Sequence, residues 1–146
     1  MNTIVFGSDH AGLGLKNILM EHLAGRCETI DVGTHSLESC DYPLIAGKLA
    51  GEVLARGALG ILICGSGIGV SITANRFPGI RAALCANEYM ARMSRMHNDA
   101  NVLCLGERII GVDLAKAIAD AFLSTPFEGG RHQRRVDLID AQNTQP

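Results

Sequence analysis

Apolar and polar positions come in two alternating rhythms. Short β-favouring apolar runs are separated by longer stretches in which apolar residues recur every three or four positions. The short runs predict strands over Thr3 to Gly7, Glu28 to Val32, Gly60 to Cys64, Arg81 to Cys85 and Val102 to Leu105. Between the first two, Leu15, Ile18, Leu19 and Leu23 fall on one helical face, with Lys16, Asn17 and Glu21 turned elsewhere. Ile45, Leu49 and Val53 predict a second helix. Ser66 to Asn75 predicts a short third one, stopped by Phe77-Pro78-Gly79 because proline cannot continue the backbone hydrogen bonding. Asn87 to Met96 predicts a fourth helix, and Leu114, Ile118, Ala121 and Phe122 a fifth, closed by Thr125-Pro126. A polar segment, Glu128 to Arg135, then leads into a C-terminal helix through Val136, Leu138 and Ile139. Those apolar residues call for a packing partner on the same domain or a second subunit.

Strands alternating with helices are the pattern of βα units around a parallel sheet. The expected fold is α/β, a three-layer α/β/α Rossmann-like sandwich with a five-stranded parallel sheet and a C-terminal helix. The 146 residues are the size of one domain. With no repeat, low-complexity tract or linker to divide them, residues 1–146 are expected to form a single domain. Charge then narrows the partners: 13 Lys and Arg against 15 Asp and Glu leave a net charge of −2, without the basic excess of a nucleic-acid binder. No apolar run approaches the roughly 20 residues of a membrane span, and the N-terminus lacks a signal pattern. The protein is expected to be cytoplasmic. Its 5 cysteines form no Cys-x-x-Cys pair and have no histidine at zinc-ligand spacing, which reads as free thiols and no metal site. Cys85 and Cys104, inside apolar runs, read as core residues.

In open α/β sheets, ligands settle beyond the carboxyl ends of the strands. Here strand one runs into Gly7-Ser8-Asp9-His10-Ala11-Gly12, strand three into Cys64-Gly65-Ser66-Gly67-Ile68-Gly69, and strand five is preceded by His97-Asn98-Asp99. Glycines at alternate positions before a helix let bare amides approach an anion, so the second of these loops reads as an oxyanion or phosphate cradle. It lacks the Gly-Lys-Ser/Thr ending of a nucleoside-triphosphate loop. Gly65, Gly67 and Gly69, with Glu88 beyond, approach a dinucleotide fingerprint, but the third glycine is out of place and the chain has no room for a second substrate domain. Cys64, where a strand stops and a helix begins, is a candidate base whose thiolate the helix dipole favours; the alternative is an inert end-of-strand thiol. His97 stands in a polar turn and is a candidate proton donor or acceptor. Asp9 is either an N-cap or, with His10, a ligand contact. Arg131 and Arg135, four residues apart, share one face if the segment is helical and then suit a phosphate; a solvated basic stretch is the alternative.

Taken together, Gly7-Ser8-Asp9-His10-Ala11-Gly12, Asp41-Tyr42-Pro43, Ile63-Cys64-Gly65-Ser66-Gly67-Ile68-Gly69, Ala74-Asn75-Arg76, Gly79-Ile80-Arg81-Ala82, Arg95-Met96-His97-Asn98-Asp99-Ala100-Asn101 and Glu128-Gly129-Gly130-Arg131-His132 resemble the ribose/galactose sugar-phosphate isomerase family. That family holds type B ribose-5-phosphate isomerases and galactose-6-phosphate isomerase subunits, and the resemblance spans nearly the whole chain. It implies an aldose-ketose isomerase interconverting ribose 5-phosphate and ribulose 5-phosphate in the non-oxidative pentose phosphate pathway. Alternatives are isomerisation of allose 6-phosphate, galactose 6-phosphate or a tetrulose phosphate, or a non-catalytic module binding a nucleotide or sugar phosphate. The resemblance implies that Cys64 shuttles the proton between C2 and C1 and that His97 helps open the furanose ring. Ser66 falls among the catalytic positions, where many relatives have threonine. Asp9 and His10 resemble a substrate-binding pair, and the amides of Gly65, Ser66, Gly67, Ile68 and Gly69 a cradle for the enediolate. Asn98 resembles a substrate contact, and Arg108, Arg131 and Arg135 match positions that hold the phosphate or close the site. The resemblance further implies homodimers or tetramers whose sites lie at the subunit interface, with no metal or organic cofactor. Some relatives use a loop glutamate as base; Val70 stands there in this chain.

Overall fold

A side chain on every second residue faces the same side of a strand, and that period organises the centre of the protein. In the computed structural model, which describes residues 1–144, five strands form one all-parallel sheet: β1 (Thr3–Ser8), β2 (Glu28–Asp31), β3 (Leu59–Cys64), β4 (Ala82–Leu84) and β5 (Val102–Gly106). Their spatial order is β2-β1-β3-β5-β4. Ile4, Phe6, Ile61, Ile63, Leu103 and Leu105 are buried on one face beneath α1 (Leu13–Leu23), α4 (Glu88–Asn98) and α5 (Val112–Ser124). Val5, Leu62, Cys64, Val102 and Cys104 are buried on the other beneath α2 (Tyr42–Arg56) and α3 (Ile68–Ala74). Strands covered on both faces read as unbroken apolar runs, which is why they stand out in the sequence. The expected three-layer α/β/α sandwich is the fold observed. A sixth helix, α6 (Arg131–Ala141), lies against α4 with Val136 buried, and Arg81 ties it down with a 2.9 Å ion pair to Asp140.

The chain passes from β1 to β2 on one side and returns to β3 on the other, so the strand order reverses at β1. That reversal opens a crevice between the carboxyl ends of β1 and β3. In register, Ser8 of β1 faces Ile63 of β3, and the Asp9 amide donates to the Ile63 carbonyl at 3.2 Å. Asp9 is thereby set beside Cys64.

Several boundaries differ from expectation for identifiable reasons. Helix α3 starts at Ile68, because Gly67 takes the left-handed conformation (φ +76°) and leaves Ser66 outside the helix. Helix α4 runs to Asn98, past the expected Met96. Arg131 already begins α6, so the polar run ahead of the last helix belongs in large part to that helix. Lys16 does not turn to solvent; it is fully buried, with Nζ 2.6 Å from both Asp31 Oδ1 and the Thr34 carbonyl. Two acceptors satisfy a charge that burial alone would not tolerate. Strand β4 is shorter than Arg81 to Cys85, its first expected residue being drawn into contacts with Asp99 and Asp140. Among the described residues, no helix is long and apolar enough to cross a membrane.

Candidate active site

The crevice between β1 and β3 is a cleft of about 670 Å³ lined by Asp9, His10, Tyr42, Cys64, Gly65, Ser66, Ile68, Gly69 and Arg108. Each reaches it for a local reason. Asp9 caps the single 3-10 turn after β1, its Oδ1 accepting from the amides of Ala11 at 3.0 Å and Gly12 at 3.1 Å. The N-cap reading of Asp9 is therefore met, and the same carboxylate also faces the cleft. His10 Nδ1 accepts from the Cys40 amide at 3.2 Å. An acceptor at Nδ1 puts the proton of a neutral ring on Nε2, which leaves His10 as a donor.

Cys64 ends β3 and is 6% exposed. Its Sγ accepts from the Gly67 amide at 3.1 Å, which fixes the sulfur at the floor of the turn. The chain can turn back in this way only because Gly67 is left-handed. Ser66 Oγ accepts from the Ile68 amide at 3.1 Å and so fixes the other side of the turn. Gly69 is needed for space: a Cβ there would stand 2.5 Å from the Tyr42 ring. Arg108 follows β5, donates its amide to the Gly65 carbonyl at 3.0 Å and lays its guanidinium over Gly65. Val70 is fully buried in the core between α2, α3 and the sheet.

The other thiols are different. Burial pushes Cys85 up to about 11, and it raises Cys104 with smaller contributions from Cys64 and Cys85. Both are core residues, as expected. Cys27 borders a smaller hollow of about 180 Å³ near Arg26 and Asp120, and burial raises its thiol as well. All five cysteines are free.

His97, Asn98, Arg131 and Arg135 are not in the cleft. Helix α4 returns antiparallel to the strands, so its last residues arrive at the amino edge of the sheet, just before β5. Cys64 pairs with Gly106 at the far end of that strand, about 13 Å further along by strand rise. The placement of His97-Asn98-Asp99 with the loaded strand ends is corrected accordingly: within one chain they occupy the opposite edge. There the His97 and His132 rings stack, with centroids 4.2 Å apart and planes 12° apart. Arg131 and Arg135 are exposed on the helix that carries His132. Asn98 faces a separate groove with Arg81 and Asp140. The ligand atoms of His97, Glu128 and His132 lie within 4.8 Å of one another. A cation must sit in the plane of every ring that ligates it, and two stacked rings share no such plane, so the cluster as it stands is a stack rather than a chelate.

Two residues in or beside the cleft have no role legible in the sequence: Tyr42, which stands there only as part of the Asp41-Tyr42-Pro43 motif, lines the cleft, and Glu107 follows β5 and accepts from the Leu15 amide of α1 at 2.5 Å. Tyr42 comes to face a loop glycine only once α2 and α3 are packed together. Glu107 acts across 92 positions, a separation no local pattern reports.

Comparison with known proteins gives the family. A family pattern described as Ribose/Galactose Isomerase matches residues 4–139. Ribose-5-phosphate isomerase B of Escherichia coli is 52% identical over 144 residues, covering 97% of this chain and 96% of that protein. The structure of ribose-5-phosphate isomerase B from Clostridium thermocellum superposes with a TM-score of 0.95 at 52% identity, covering 97% of each chain. The enzyme from Mycoplasma genitalium, solved with bound ribulose-5-phosphate, superposes with a TM-score of 0.94 at 42% identity, over 99% of this chain and 97% of that one.

Proposed function

The chain belongs to the ribose/galactose isomerase family and is an aldose-ketose isomerase, and from that premise we propose that Cys64 moves the proton between C2 and C1 of ribose 5-phosphate and ribulose 5-phosphate in a site built by two copies. The observation that carries this reading is the Gly67 amide donating to Cys64 Sγ at the floor of a cleft shared with Asp9, His10 and Arg108.

Ribose 5-phosphate rests as a furanose closed through O4, so it must open before the proton on C2 becomes acidic. Once the aldehyde is free, the Cys64 thiolate takes that proton, the electron pair moves toward O1, and an enediolate forms. Within the Gly65 to Gly69 cradle, the amides of Gly67 and Ile68 hold Cys64 Sγ and Ser66 Oγ, and the remaining amides are the donors for the developing charge. A comparable donor contributes about 3–4 kcal/mol where one has been removed. The O2 proton passes to O1, so that the charge comes to rest on O2; the thiol then returns its proton to C1, and the carbonyl appears at C2. His10 donates from Nε2 to a substrate oxygen. Arg108 and, from a second copy, Arg131 and Arg135 take the phosphate, whose binding orients the open chain. The second copy also supplies His97 for ring opening and Asn98 as a substrate contact. The wide separation of the thiol and the imidazole within one chain supports this division. So do Ile68, Ile72 and Ile109, apolar residues left exposed in and beside the cleft, where a second copy would cover them. The family match running almost from end to end supports one catalytic domain, and the free thiols support a reducing, cytoplasmic setting.

The direct test is conversion of ribose 5-phosphate to ribulose 5-phosphate by the purified protein; no conversion would refute the reading. His97→Asn tests the ring-opening role. Ribulose 5-phosphate cannot form a furanose because its O5 carries the phosphate, so exchange of its C1 hydrogen in D2O reports proton transfer without ring chemistry. His97→Asn should slow conversion of ribose 5-phosphate about 100-fold while leaving that exchange within about threefold. Equal loss of both would remove the role.

A further inference from the structure

We infer that His132, steadied by Glu128, is a positioning residue that clamps the His97 imidazole in the orientation ring opening requires. The inference rests on the ring-opening reading above and adds a residue to it. His132 is 6% exposed, an unusual depth for a histidine beside two exposed arginines. Its ring covers one face of His97 at 4.2 Å and nearly parallel, which fixes the tilt of the His97 ring about its last side-chain bond. Without that plate the ring, on a half-exposed residue at the end of a helix, would sample both tilts freely. Only some of those tilts aim its nitrogens away from the parent chain, toward the cleft of a second copy.

The plate is itself held in two ways. The His132 amide donates to the Gly129 carbonyl at 3.0 Å, starting α6. The Glu128 amide donates to the Met96 carbonyl at 3.1 Å, so the loop carrying Glu128 is fastened to the residue next to His97. Glu128 Oε2 stands 3.4 Å from His132 Nε2 but misaligned, and that buried nitrogen has no hydrogen-bond partner among the described residues. A buried polar atom left in this state is uncommon unless it serves something beyond packing. The charged groups facing His132 are His97 from α4, Arg131 and Arg135 from its own helix, and Glu128 from the preceding loop. Removal from water, followed by the cationic neighbours, keeps His132 below the ordinary histidine range, while Glu128 opposes them. In its neutral form His132 offers the His97 ring a π face instead of a like charge.

The test compares the full-length enzyme with His132→Ala, His132→Phe and His97→Asn in two assays: conversion of ribose 5-phosphate, and C1 exchange of ribulose 5-phosphate in D2O. His132→Ala should lower kcat for conversion about tenfold with KM within about twofold, and should leave exchange nearly unchanged. His132→Phe keeps a flat ring and should recover kcat to within about threefold of the parent. Retained exchange shows that the variants are folded and that the proton-transfer half is intact. Unchanged conversion in His132→Ala overturns the inference, and so does an equal loss in the alanine and phenylalanine variants. A KM rise shared by both assays would make His132 a substrate contact and overturns it too. If His97→Asn loses conversion and exchange equally, the ring-opening reading itself has failed. If His97→Asn loses conversion alone while His132→Ala resembles the parent, only the role of His132 has.

Discussion

Cys64→Ala should lower the isomerisation of ribose 5-phosphate about 1,000-fold, within the range a positioned general base supplies. No neighbour is placed to replace the thiol. Val70, at the position of the alternative base, is apolar and sealed in the core. His10 faces the cleft but has Nδ1 engaged with the Cys40 amide. Asp9 is the one carboxylate in the cleft, with Oδ1 already accepting two amides. Removing a small, mostly buried side chain at the end of β3 should cost only about 1 kcal/mol of stability, so a melting curve close to that of the parent would accompany the lost rate. Measuring kcat/KM and thermal unfolding on the same preparation separates chemistry from folding. Turnover within tenfold of the parent would transfer the base role to Asp9.

Gly67→Ala should be nearly as damaging by a different route. At φ +76° an added Cβ meets the left-handed penalty of about 1–2 kcal/mol. The Cβ would also stand 2.6 Å from Leu84 Cδ1 and 2.8 Å from the Leu105 carbonyl carbon. The first can move; the second is strand backbone and cannot. The loop must shift instead, which withdraws the Gly67 amide from Cys64 Sγ and misaligns the cradle. A stability loss of about 2–4 kcal/mol and a rate loss above about 100-fold are expected, read by urea unfolding and kcat. Gly51→Ala is the control, because Gly51 lies within α2 and a Cβ there meets nothing within 4 Å. That variant should be unchanged or slightly more stable. Equal behaviour of the two variants would show that the left-handed turn is dispensable.

The fold is legible in the sequence because its strands are buried on both faces, so Ile61-Leu62-Ile63-Cys64 and Val102-Leu103-Cys104-Leu105 announce themselves as continuous apolar runs. The end of the sheet that holds Cys64 is equally legible, since a thiol, three glycines and a following helix sit within six residues. Lys16 is not, because helical periodicity assigns a lysine to solvent, and its acceptors Asp31 and Thr34 come from the next strand and beyond it. His97 is recognisable as a chemical group, but adjacency to a strand in sequence does not by itself reveal which end of that strand it occupies. A helix returning between parallel strands ends at their amino edge, and that rule, applied to Asn87 to Met96, sets His97 at the edge opposite Cys64. Glu107 acts across 92 positions and no local pattern encodes it, whereas Tyr42 and His132 stand inside recognisable motifs but touch partners that only packing across long stretches of chain brings to them.

The central claim is that the Cys64 edge of one copy and the His97 edge of another form a single site. Cys64→Ala and His97→Asn proteins, each nearly inactive on ribose 5-phosphate, should be mixed under conditions that allow subunits to exchange. In a dimer of one of each, one site collects both mutations and the other collects neither. Random exchange makes about half of the dimers mixed, so activity should rise to about a quarter of the parent level. Activity that stays at the sum of the two separate variants after exchange has been verified would contradict the shared site and place both groups' chemistry within one chain.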